Sequence, residues 1–103
     1  MEQVWYLLAG MFTFNSLPHL ISGVMGNKHM TPLAKDSSAV VNVVWGFINL
    51  VVGVYLLSLA TGGLGLVPPQ SGLVAYLLGG FVLSLTAASL FSNPNAKMPW
   101  WKS

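Results

Sequence analysis

Few polar side chains lie inside the apolar stretches of this chain, and their spacing sets them apart. Asn15, His19, Ser22 and Gly26 recur at i, i+4, i+7 and i+11, which puts them on one face of a 3.6-residue helix. Asn42, Trp45, Gly46, Asn49 and Gly53 repeat the pattern further along. Asparagine amides donate and accept hydrogen bonds without carrying charge, so two such faces turned toward each other form an electrostatically mild ladder. One reading of the ladder is structural, with amides and imidazole bonding across helices. The other is a pocket or pore lined by Asn15, His19, Asn42, Trp45, Asn49 and, from a third helix, Thr86, because an ionisable group within a span marks a functional site by default.

The chemistry open to these groups is narrow. His19 alone within the apolar stretches titrates near neutrality, and no carboxylate accompanies it there, since Glu2 and Asp36 fall at the ends of these stretches. Proton-coupled antiport and a Ser-His-Asp hydrolase are both disfavoured, because each needs an acid to receive a proton or orient the base. No residue is assigned a catalytic role. An intramembrane enzyme using His19 as acid or base is the weakest of the functional readings. Cysteine is absent, which removes thiolate ligands and thiol catalysis. His19, His29, Met25 and Met30 are the donors nearest a metal-binding set, of a kind suited to Cu(I). Methionine is also common filler in apolar packing, so neither a metal nor a cofactor is expected.

Three elements must hold these groups. The chain is 54% hydrophobic and 6% charged, too few charges to cover a water-facing surface. Its apolar stretches, 4–25, 39–60 and 73–92, each approach the ~20 helical residues that cross a bilayer, and none contains Asp, Glu, Lys or Arg. The expected fold is an all-α membrane protein, a single domain of three transmembrane helices in a small bundle. The opening Met1-Glu2-Gln3 lacks the basic region of a signal peptide, so the first stretch is expected to remain as a span.

Between the first two spans, residues 26–38 read as a polar loop in which Gly26 ends one helix and Asp36, Ser37 or Ser38 caps the next. The second loop, 61–72, holds Pro68-Pro69, which blocks a continuous helix. Pro18 removes a backbone donor beside Asn15 and His19. With the first two helices antiparallel, Asn15 falls level with Asn49, His19 with Trp45 and Gly46 about 7 Å deeper, and Ser22 with Asn42. Gly46 and Gly53, and Gly80, Ser84 and Ala88 at four-residue spacing in the third span, are the expected helix-packing positions.

All four lysines, Lys28, Lys35, Lys97 and Lys102, fall in the first loop or the C-terminal tail, which share one side in a three-span chain. The positive-inside bias then gives an N-terminus outside and a C-terminus in the cytoplasm. Trp100 and Trp101 read as anchors at the lysine end, and Trp5 with Tyr6 at the other. With four basic residues and no arginine, nucleic-acid binding is not expected.

The run Asn15-Ser16-Leu17-Pro18-His19, with Gly23, Gly26, Thr31-Pro32 and Val41-Asn42-Val43-Val44-Trp45-Gly46-Phe47-Ile48-Asn49, resembles small bacterial integral-membrane proteins to which no activity is assigned. The resemblance covers about the first half of the chain. It implies a bacterial inner-membrane protein of similar size and carries over no ligand or catalytic residue. The leading expectation is a bundle that acts by assembly in the bilayer, as a homo-oligomer or an accessory subunit of a larger membrane complex. The alternative is a channel or binding pocket for a small neutral or lipid-like solute.

Overall fold

In the computed structural model, which describes residues 1–101, three long helices account for nearly all the regular structure: α1 (Glu2–Val24), α2 (Ala39–Thr61) and α3 (Gln70–Phe91). Lys102 and Ser103 lie outside the described residues. Each helix has 22 or 23 residues, about 33–35 Å at 1.5 Å per residue, and each is long and apolar enough to cross a membrane. This is the expected helical bundle, and the chain is a membrane protein.

The helix ends follow from local chemistry. At the end of α1, Gly26 takes a left-handed φ of 77°, which allows its N–H to bond Gly23 O and the Asn27 N–H to bond Ser22 O at 2.8 Å. This reciprocal pair satisfies carbonyls that the helix would otherwise leave open. Ser38 caps α2 by accepting from the Val41 N–H, and Gly62, at φ 80°, closes its other end. Pro68-Pro69 separates α2 from α3, with Pro69 in extended conformation immediately before Gln70.

Helix α1 is central. It packs along both α2 and α3, while α2 and α3 make almost no contact with each other. The α1–α3 seam is a close approach of backbones: a Cβ on Gly10 would collide with the carbonyl of Tyr76, and one on Gly79 with the carbonyl of Leu7. Tyr6, Ala9, Leu57 and Tyr76 form the buried core, and the Phe14 ring meets Tyr76 edge-on at 6.1 Å. Tyr6, expected as an anchor at the membrane surface, is instead buried against Gly72, where a glycine leaves room for its ring.

The expected packing positions divide. Gly46 lies against Leu20, Gly53 against Thr13 and Gly80 against Phe14, all buried. Ser84 and Ala88 are exposed. The face of α3 that meets α1 runs through Gly72, Tyr76, Gly79 and Gly80. A four-residue step overshoots a helical turn by about 40°, so the line Gly80-Ser84-Ala88 drifts about 80° away from that face.

Residues 26–38 are more than a loop. They hold a two-stranded antiparallel hairpin, β1 (His29–Thr31) and β2 (Ala34–Ser37), folded against the ends of α1 and α2. Pro32 sits second in its four-residue turn, a position its fixed φ suits. Inside the hairpin, Thr31 Oγ1 and Ser37 Oγ share a buried hydrogen bond of 2.6 Å. The C-terminal segment folds across this hairpin: both tryptophan indoles, of Trp100 and Trp101, donate to Pro32 O, and Lys35 Nζ donates to Pro94 O.

Candidate functional site

The polar ladder forms, and one residue organises its hairpin end. Asn42 is fully buried, and its amide nitrogen donates toward three carbonyls: His29 O at 3.0 Å, Ser37 O at 3.1 Å and Ser38 O at 3.0 Å. Turning the amide over would point its oxygen at three other oxygens, so its orientation is fixed. The Asn42 oxygen therefore faces His19 Nδ1 at 2.9 Å and can only accept. His19 must carry its proton on Nδ1. When the ring is neutral, Nε2 is left as a bare lone pair, and among the described residues no hydrogen bond reaches it.

Below this, Asn15 Nδ2 donates to Asn49 Oδ1 at 2.9 Å, and Asn49 Nδ2 donates to Trp45 O, also at 2.9 Å. The level pairing of Asn15 with Asn49 is thus as the spacing predicts. The next rung differs, since Asn42 bonds His19 and not Ser22; the hairpin carbonyls hold the Asn42 amide in a position from which its oxygen reaches the imidazole.

Asn15, His19 and Trp45 line a partly open cavity of about 140 Å³, together with Met30 and Thr31 of the hairpin, Leu90 and Phe91 of α3, and Met98 of the tail. Thr86 does not reach it. That side chain is exposed and returns its hydroxyl to Val82 O at 2.9 Å. The third wall is apolar and comes from Leu90 and Phe91.

Three rings cluster around His19. Trp45 is edge-on at 6.5 Å, Phe91 edge-on at 6.1 Å, and His29 tilted by 46° at 5.2 Å; His29 in turn meets Phe91 at 4.3 Å. Among the described residues, two nitrogens here are buried with no partner, His29 Nε2 and Trp45 Nε1. Leaving a buried polar group unpaired costs about 1–3 kcal/mol; Trp45 belongs to the cavity wall, while His29 lies outside it, against His19 and Phe91. Burial, and to a smaller extent the neighbouring His19, holds the His29 imidazole below its ordinary pKa of 6.5, which keeps that ring neutral at pH 7.

His29 and the two methionines were the least visible parts of this site in the sequence. His29 lies outside the spans, and only the hairpin brings it to His19. Met25, counted among the possible metal donors, is turned away and 68% exposed, while Met98, 68 residues from Met30, comes to the cavity through the folded-back tail. Among the described residues the wall combines amide, imidazole, indole and thioether groups with apolar side chains and carries no charged one.

Comparison with protein-family models, with curated proteins and with solved structures finds no match to this chain. The geometry alone carries the functional argument.

Proposed function

We propose that this chain is a ligand-binding membrane protein whose site is the cavity between α1, α2, the hairpin and the ends of α3 and the tail. The observation that carries this reading is a cavity lined by His19, whose tautomer Asn42 fixes, together with Asn15, Trp45, Met30 and Met98. A volume of about 140 Å³ is of the size that takes a benzene-sized molecule, so the part of the occupant held inside is small. The uncharged wall favours a neutral or soft ligand over a strongly hydrated ion.

The site lies at the end of the bundle that carries Lys28, Lys35 and Lys97, and positive charge is retained on the cytoplasmic side of membranes. The chain accordingly places its N-terminus outside and the cavity at the cytoplasmic face, in the bacterial inner membrane that the resemblance implies. Native mass spectrometry of protein extracted from its own membrane in mild detergent tests the binding reading. A retained small mass, lost in His19→Ala and Trp45→Phe variants that keep their helical signal, is the expected result. A wild-type protein that carries no ligand and takes up none would overturn it.

A second reading, assembly into a homo-oligomer or larger complex, is favoured by one observation: Ser84, Thr86, Ala88 and Ser89 face outward from the bundle, and small or polar residues on lipid-facing surface suit helix–helix contact. Its test is Ser84→Leu with Ala88→Leu, which should lower the subunit count in lipid without unfolding the protomer. An unchanged count would remove this reading.

A further inference from the structure

We propose that the cleft between the hairpin and the C-terminal segment holds the headgroup of a monoanionic phospholipid of the phosphatidylglycerol type, its phosphate bound by Lys35 and Lys97. This cleft shares no lining residue with the cavity described above, so the two sites stand or fall separately.

Position comes first. Leu33, Lys35 and Asp36 of the hairpin and Lys97, Trp100 and Trp101 of the tail line a partly open cleft of about 1230 Å³. Small-molecule pockets run to ~300–1,000 Å³, so there is room for a headgroup and the first carbons of its chains. Every residue of its wall lies between α1 and α2 or beyond the end of α3. Each helix by itself is long enough for the ~30 Å hydrocarbon core, which puts the cleft at headgroup level.

Charge selects the headgroup. The wall sets two ammonium groups against one carboxylate, a net charge of +1 that a single phosphodiester matches. Lys35 Nζ gives one of its three donors to Pro94 O. That acceptor is neutral, so it fixes the ammonium without cancelling its charge, and two donors remain for phosphate oxygens in charge-assisted bonds. A choline or ethanolamine headgroup would bring its own cation beside two lysines. Glycerol brings hydroxyls instead, which the Asp36 carboxylate accepts.

The aromatic side of the cleft agrees. Tryptophans at a membrane surface present a polar N–H and an apolar ring. Here both indole N–H groups are taken by Pro32 O, inside the protein, yet Trp100 remains 65% exposed and Leu33 71%. What these residues still offer is apolar surface beside the lysines, which suits the glycerol backbone and upper methylenes of a lipid. The same bonds hold tail and hairpin together, so the cleft is built before a lipid arrives and binding orders little protein.

The test is native mass spectrometry of the full chain released from nanodiscs of equimolar phosphatidylglycerol and phosphatidylcholine. One phosphatidylglycerol per chain should be retained in preference to phosphatidylcholine. Lys35→Gln and Lys97→Gln should each lower that retention about 5-fold or more, the scale of one lysine against an anionic lipid surface. Lys35→Arg, which keeps charge and donors, should restore it. Lys28→Gln is the control, because Lys28 is exposed at the same end of the bundle but outside the cleft wall, and its retention should match the parent's. Equal retention of the two lipids, or a Lys28→Gln loss as large as the others, would overturn the proposal, the second by reducing it to general surface attraction. Inorganic phosphate that displaces the lipid would assign the cleft to a soluble phosphate and overturn it as well.

Discussion

The two faces of α1 hold their neighbours by different means. Toward α3 the seam is glycine against backbone and ring against ring, with Gly10, Gly79 and Gly80 letting the helices close, and among the described residues its side-chain hydrogen bonding is limited to Gln3 with Ser71 O at the exposed end. Toward α2 the seam carries glycines too, but it is threaded by Asn15–Asn49 and His19–Asn42. Lipid supplies little hydrophobic drive between helices, so close packing alone must hold α3, and any residue larger than glycine disrupts it. Polar rungs add little net energy when paired but cost much when one member is stranded. The α3 seam therefore depends on close packing alone, and the α2 seam adds to the same kind of packing the polar rungs that specify its geometry.

The sharpest way to break this contrast is Gly79→Leu. Its side chain has no space beside the Leu7 carbonyl, and overpacking at a backbone contact should cost about 3 kcal/mol, at the upper end of what inserted methylenes cost in packed cores. Steric-trapping measurements of unfolding in bicelles should show α3 released while the α1–α2 pair persists. If Gly79→Leu is tolerated, the close approach is not what holds α3. Asn42→Leu should follow in size. It strands His19 Nδ1 and removes the donor shared by three carbonyls, at a cost of about 1–3 kcal/mol for a stranded buried group. Here the loss should be local: amide exchange across residues 29–37 accelerates, while the α1–α3 seam keeps its protection. Exchange that rises evenly across all three helices would contradict the division of labour.

Helices and their limits were legible in the sequence because each depends on a local signal: an uncharged stretch of spanning length, Gly26, Ser38, Pro68-Pro69. The Asn15–Asn49 rung was legible as well, since a rigid 3.6-residue period fixes depth once two helices are antiparallel. What was hidden depends on contacts between distant segments. The hairpin needed Asn42 to gather the carbonyls of His29, Ser37 and Ser38, and nothing in the spacing of residues 26–38 announces that gathering. Met98 reaches the cavity only because two indoles find Pro32 O across 68 and 69 residues. Ser84 and Ala88 turn away from α1 for a simpler reason, that a four-residue repeat drifts off a helix face within two turns, and Thr86, placed by depth alone, is exposed.

The smallest effect is the most discriminating one. Asn15 and Asn49 bond each other and lie beside the cavity, yet only Asn15 lines it. A double-mutant cycle with Asn15→Leu and Asn49→Leu, read as unfolding free energy in bicelles, should give a coupling near 0.6 kcal/mol, the mean for interhelical hydrogen bonds in a membrane. The double variant should be nearly as stable as the parent, because removing both partners leaves no buried amide unpaired across the seam, apart from the Trp45 carbonyl that Asn49 served. A protein that folds normally with both asparagines replaced separates the two roles of the α2 seam. If it still retains a ligand at full occupancy, the Asn15 rung is interhelical glue and the site begins at His19. If it folds but loses the ligand, the site extends down to Asn15, and the polar seam specifies the cavity as well as the register of the helices.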